Sequence, residues 1–246
     1  MRFSHLDAAI PEGREEDFFS LFGRLQEPTK SNFELVLDLG AYMNGTPFND
    51  RYAVTGSYAI LSHLMKLHSP EIASTWKGFS NPTIVGNGQV LGALRAGYHT
   101  KGGPQNRTDM VPVFDMLLKL EGKDERLTFV YNEVRKNPGS VETNEHFGVP
   151  LKVNSPESLL EHRLGRPMTS QGNIGDTLTL VHIMEQRGYS PDSVAEYAIA
   201  NKQADELAKR IKTGYDKFGR DRFGVFPSDK FVATLLKRLH KVRPVA

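Results

Sequence analysis

At 246 residues and a formal net charge of +2, with a pI near 8.7, the chain can bury a sizeable core, and its overall charge is too small to argue for a polyanionic partner. It has no cysteine, which excludes disulfides, thiolate zinc sites and cysteine nucleophiles together. No apolar run approaches the ~20 residues that cross a bilayer, and MRFSHLDAAIPEGREEDFF is not a secretory signal, so a cytoplasmic protein with no membrane partner is expected.

REEDFFSLFGRLQ (14–26) puts Phe18, Phe19, Leu21, Phe22 and Leu25 on one stripe behind an acidic first turn, which predicts an amphipathic helix. SNFELVLDLGAYM (31–43) starts at a Ser-Asn cap and predicts a second helix, and NGTPFND (44–50) is turn chemistry. Tyr52 to Thr55 then predicts a short strand, and Ser57 to His68 a helix with Ile60, Leu61, Leu64 and Leu67 inward. The junction between them, Gly56-Ser57, fits two readings. It is a phosphate-binding turn with bare amides facing an anion, or a plain N-cap in which Ser57 holds an orphan N–H.

From Ser69 to Arg107 the pattern is weak, and HTKGGPQNRTD (99–109) predicts a loop. MVPVFDMLLKL (110–120) predicts a strand whose start Pro112 confines to a sheet edge. RLTFVYNEV (126–134) and VPLKVNS (149–155) predict two more. SPESLLEHRLGR (155–166) opens a helix with Ser155 as cap and Pro156 at the first position. NIGDTLTLVHIMEQRG (173–188) predicts a helix closed by Gly188, and SPDSVAEYAIANKQADELAKRIKTG (190–214) one long helix stopped by Gly214. The last helix, SDKFVATLLKRLHKV (228–242), has Ser228 as its cap. The order predicts an α+β core over 1–154 and a helical C-terminal part over 155–246, with the break near Asn154.

VTGSYAILSHL resembles the opening motif of the nucleotidyltransferase superfamily, in which a Gly-Ser turn after the first strand contacts a nucleoside triphosphate. GVPLKVNSPESLLEHRLGR, followed by GNIGDTLTLVHIM, is similar to the later part of the abortive-infection and toxin-like branch of that superfamily, where a strand, a capped helix with a basic residue and an Asp-bearing helix come in order. The resemblance covers roughly residues 50 to 188 with a gap in the middle. It implies a mixed sheet flanked by helices, with Gly56 and Ser57 on the triphosphate. Arg163 and Arg166 stand where the family has a phosphate-contacting lysine, and Asp176 matches an acidic position of the following helix. It also implies transfer of a nucleotidyl group to an acceptor such as RNA, a toxin–antitoxin setting and a Mg²⁺ cofactor.

The family holds Mg²⁺ with two acidic residues at i and i+2 of one strand, which share a face. The chain departs from this pattern: its one acidic-x-acidic pair is Glu15–Asp17, in a predicted helix. FSNPTIVGNGQVL (79–91), at the family's acidic strand, has no carboxylate. Asp109 and Asp115 are the remaining candidates as catalytic residues and metal ligands, but six residues of extended strand set them ~20 Å apart. Two expectations follow. The chain is a nucleotidyltransferase drawing carboxylates from unusual positions, or it is an inactive module of phage or mobile-element type that binds nucleic acid or a protein.

The eight histidines lack zinc-site spacing, GNGQVLG (86–92) matches neither a dinucleotide fingerprint nor a P-loop, and no G-x-S-x-G supports a serine hydrolase. The C-terminal quarter is the most basic part, with Lys202, Lys209, Arg210, Lys212, Lys217, Arg220, Arg222, Lys230, Lys237, Arg238, Lys241 and Arg243. Tyr215, Phe218, Phe223 and Phe226 are interleaved there. Cations and aromatics in that pattern fit an RNA or DNA surface, and they equally fit a solvated face over core phenylalanines. Asp205, Glu206, Asp216, Asp221 and Asp229 dilute the field.

Overall fold

The computed structural model describes residues 8–9, 52–68, 73–81, 90–100, 110–121, 126–131, 134–136, 140–146, 149–167, 171–217 and 225–241. The helices expected over 14–26 and 31–43, the turn over 44–50 and most of the loop over 99–109 lie outside these residues. The architecture is α+β, in two units: strands make up the first and helices the second, with one boundary between Asn154 and Ser155. Among the described residues, no helix is long and apolar enough to cross a membrane.

The first unit holds two sheets. One has the order β1-β6-β5-β4-β3, from β1 (Ala8–Ala9), β3 (Ala73–Asn81), β4 (Val90–Thr100), β5 (Met110–Glu121) and β6 (Arg126–Tyr131). The other has the order β7-β2-β9-β8, from β2 (Tyr52–Val54), β7 (Val134–Lys136), β8 (Val141–His146) and β9 (Val149–Asn154). The stretch 126–134 is therefore not one strand. β6 pairs with β5, whereas β7 pairs antiparallel with β2 in the other sheet. Local β propensity cannot register a change of partner.

Pro112 shows how a proline is accommodated. Among the described residues, β6 pairs with β5 only from Met116 onward, so the Pro112 end has a neighbour on one side, β4. The β4–β5 register also slips between Ala96 and Gly97, opposite Pro112, where the missing N–H cannot join the ladder.

β2 and β9 are parallel neighbours with Val54 opposite Val153, and Ala53, Val54, Leu151 and Val153 are buried. Helix α1 (Gly56–His68) starts two residues after β2. The second unit takes α1 from Ile60 onward, with α2 (Pro156–Leu164), α3 (Gln171–Gln186), α4 (Pro191–Ala200), α5 (Ala204–Lys217) and α6 (Asp229–Lys241). Serines begin three of these. Ser155 Oγ accepts from Ser158 N at 3.3 Å, Ser190 Oγ from Ser193 N at 3.0 Å, and Ser228 Oγ from Phe231 N at 3.3 Å. The helices close over a core that includes Leu160, Leu178, Val181, Leu207, Ile211 and Leu235.

The long helix expected over 190–214 is two. α4 ends where Lys202 takes φ 58°, with Lys202 N donating to Ile199 O at 2.9 Å and Gln203 N to Ala198 O at 2.7 Å. That is the double closure of a Schellman motif with a lysine at the left-handed position. α3 ends the same way through Gly188 (φ 82°), with Gly188 N on Glu185 O at 2.9 Å and Tyr189 N on Met184 O at 3.0 Å. Gly214, expected to stop a helix, lies inside α5. A Cβ there would meet Leu178 Cδ1 at 2.4 Å and Ile174 Cγ2 at 3.2 Å, so the missing side chain lets α5 approach α3.

Candidate functional site

Because β2 and β9 run parallel in register, both end at one edge of their sheet, and each leads into a helix within two residues. Gly56 makes its turn at φ +73°, a left-handed conformation that costs an L residue roughly 1–2 kcal/mol. The glycine of the Gly-Ser pair thus has a backbone reason. Thr55 and Gly56 are both buried, so this part of the turn is covered. The side chain of Ser57 lies outside the described residues. On the other strand, Asn154 and Ser155 are buried, and the Ser155 hydroxyl is engaged in its own helix cap.

Arg163 and Asp176 are brought together. Arg163 Nη2 stands 2.9 Å from Asp176 Oδ2, with the two side chains 4% and 3% exposed. Arg163 Nη1 also donates to Asn173 Oδ1 at 3.4 Å, and Asn173 Nδ2 donates to the carbonyl of Pro167 at 3.2 Å. α3 begins at Gln171, so Asp176 sits in its second turn. Arg166 donates from Nη2 to His162 Nε2 at 2.9 Å, which makes that nitrogen the acceptor. Both arginines assigned to phosphate contact therefore have partners within the second unit.

Of the two candidate metal ligands, only the backbone of Asp115 lies among the described residues. Asp115 lies on β5 with its Cα opposite that of Arg95 on β4. Asp109 lies outside the described residues. No group of three or more histidines and carboxylates able to hold a metal ion occurs among the described residues.

Arg210, counted with the basic surface from sequence, is fully buried. Its Nη1 donates to Arg163 O at 2.8 Å, and its Nη2 to Leu164 O at 3.4 Å and to Arg166 O. Its Nε donates to Glu206 Oε1 at 2.7 Å. The guanidinium of one helix thereby binds carbonyls at the end of another, where Arg163 O also accepts from Arg166 N at 3.1 Å. The only local signal is the i,i+4 spacing from Glu206, which reads as an ordinary surface pair.

Two histidine contacts join α1 to α3. His63 is buried and accepts from Arg187 Nη2 at its Nδ1, 2.8 Å away. His182 Nδ1 donates to the carbonyl of Phe226 at 2.8 Å, which leaves its Nε2 as an acceptor facing His68 Nε2 at 3.0 Å. Burial lowers the pKa of His182 below its ordinary value. The Phe226 carbonyl opposes that shift, His68 adds to it and Glu185 opposes it.

In the basic quarter, Arg238 pairs with Asp192 on α4 at 3.0 Å. Tyr215 donates its hydroxyl to Pro227 O at 2.9 Å and meets Phe226 edge-on, with ring centroids 5.8 Å apart. Lys212 Nζ donates to His240 Nε2 at 2.9 Å. Lys209, Lys212, Lys230, Lys237 and His240 are exposed, while Phe218, Arg220, Arg222, Phe223 and Arg243 lie outside the described residues. No family model, curated protein or solved structure matches the chain.

Proposed function

We propose that this protein is a binding module of nucleotidyltransferase-like design that engages nucleic acid and carries out no nucleotidyl transfer. One observation carries the reading: Arg163, which would hold a phosphate in a transferase, is closed in a buried ion pair with Asp176. A guanidinium held this way is costly to free, since breaking a buried pair by removing one partner costs ~3–5 kcal/mol. The buried Thr55–Gly56 turn favours the same reading. The exposed lysines of α5 and α6 are the features that suit a phosphate backbone.

The second reading, an active nucleotidyltransferase, is favoured by the β2/β9 edge, where two parallel strands each lead into a helix. There Gly56 and Ser57 would face the phosphates of a nucleoside triphosphate.

The two readings separate in one experiment. The protein is incubated with Mg²⁺, total tRNA and each labelled triphosphate in turn, and its retention on single-stranded nucleic acid is followed as salt is raised. Absence of label on RNA, with retention that is lost at high salt, is the expected result. Label transferred to RNA would establish the enzyme instead, and absence of retention even at low salt would remove nucleic acid as the partner.

A further inference from the structure

We infer that the seam between α5 and α6, where Lys212 meets His240 with Lys237 beside them, binds the phosphate backbone of a single-stranded nucleic acid. The inference rests on the reading of the protein as a nucleic-acid-binding module and assigns that activity to one surface.

Lys212 Nζ and His240 Nε2 are 2.9 Å apart across the two helices, and the lysine is the donor. An ammonium has three N–H donors, so two remain for a ligand after this contact. Lys209 is three residues before Lys212 on α5, and Lys237 three residues before His240 on α6, so each pair shares a helix face. All four side chains are exposed. Asp205 lies one turn before Lys209 and limits the share of that lysine, which leaves Lys212, Lys237 and His240 as the centre.

A groove of about 520 Å³ runs along α6, lined by Thr234, Leu236, Lys237, Arg238 and His240. The groove is open to solvent, as a strand-binding surface is. Lys237 and His240 supply donors for phosphate oxygens, Arg238 being engaged by Asp192 through Nε and Nη2, and Leu236 supplies an apolar patch for a sugar or an unstacked base.

The test uses the full chain and fluorescence anisotropy with labelled oligouridylate, oligodeoxythymidylate of equal length and polyglutamate. Binding to at least one oligonucleotide should weaken with salt. Lys212→Gln and Lys237→Gln should each reduce the log–log salt slope by roughly 0.7, the contribution of one single-strand phosphate contact. Lys202→Asn, an exposed charge in the α4–α5 turn, should leave the slope unchanged, and thermal melting confirms that each variant is folded. The two oligonucleotides distinguish an RNA from a DNA backbone as the source of the phosphates. Oligonucleotide binding with an unaltered slope in K212Q and K237Q overturns the seam and leaves the proposed function standing. Equal or tighter binding of polyglutamate overturns the seam in favour of an acidic protein, and absence of binding to either oligonucleotide overturns both readings.

Discussion

The guanidinium of Arg210 on α5 donates to the main-chain carbonyl of Arg163, 2.8 Å away at the C-terminal end of α2. Its second terminal nitrogen reaches the carbonyls of Leu164 and Arg166. Removing the side chain takes the guanidinium donors from these carbonyls, of which Arg163 O keeps the Arg166 N–H, and a buried polar group without a partner costs ~1–3 kcal/mol. Arg210→Met should therefore destabilise the protein by roughly 3 kcal/mol or more in urea unfolding. Arg210→Lys should recover only part of this, because one ammonium cannot span three carbonyls in the plane of a guanidinium fork. A loss below 1 kcal/mol in R210M would show that the capping role is wrong.

The Arg163–Asp176 pair gives a double-mutant cycle. Arg163→Met or Asp176→Leu alone should cost roughly 3–5 kcal/mol by leaving the other charge buried, and the double variant should cost less than either. If Arg163 instead serves a phosphate, R163M would weaken triphosphate binding while stability changed little. Unfolding curves and nucleotide titrations on the same three variants decide between these outcomes.

Two helix ends with one geometry predict opposite effects. Gly188→Ala forces a side chain to φ 82° with no atom within 4 Å of its Cβ, so strain acts alone, and a loss of about 1 kcal/mol is expected. Lys202→Gly relieves a lysine held at φ 58° and should stabilise by several tenths of a kcal/mol to about 1 kcal/mol, after the added freedom of the unfolded chain is offset. Thermal melts of the pair should shift in opposite directions.

His182 sets a pH dependence. Its pKa in the folded protein is lowered, chiefly by burial, from the 6.5 it has when unfolded. Below 6.5 the unfolded chain takes up this proton before the native one does, so stability declines as pH falls from 6.5 to the lowered value and then levels off. His182→Gln should remove that part of the slope. Urea midpoints across the acidic range, for the wild type and for the variant, measure the difference.

Local signals were legible where the cause of the structure is local. Ser155, Ser190 and Ser228 begin their helices as their side-chain oxygens predict, and Gly188 closes α3 as a residue tolerant of positive φ should. The end of α4 was not legible, because a lysine occupies the left-handed position that a glycine would have announced. Gly214 misled for the converse reason: its lack of a side chain serves the approach of α5 to Leu178, a contact 36 positions away in the chain, and not a turn. The candidate site was legible in part. Gly56 does need its special φ, and Arg163 and Asp176 do stand out chemically, but their engagement with each other could not be read from their spacing.

Helix starts, the β2-to-α1 turn and the α+β order follow from the sequence alone, since caps, glycine and hydrophobic period act within a few residues of themselves. Tertiary structure alone decided that Arg210 is a buried cap and not a surface cation, that the strand after Arg126 divides between two sheets, and that Arg163 faces Asp176. Each of those outcomes depends on which distant group a charge or a strand edge meets once the core has closed, and a one-dimensional pattern carries no record of that meeting.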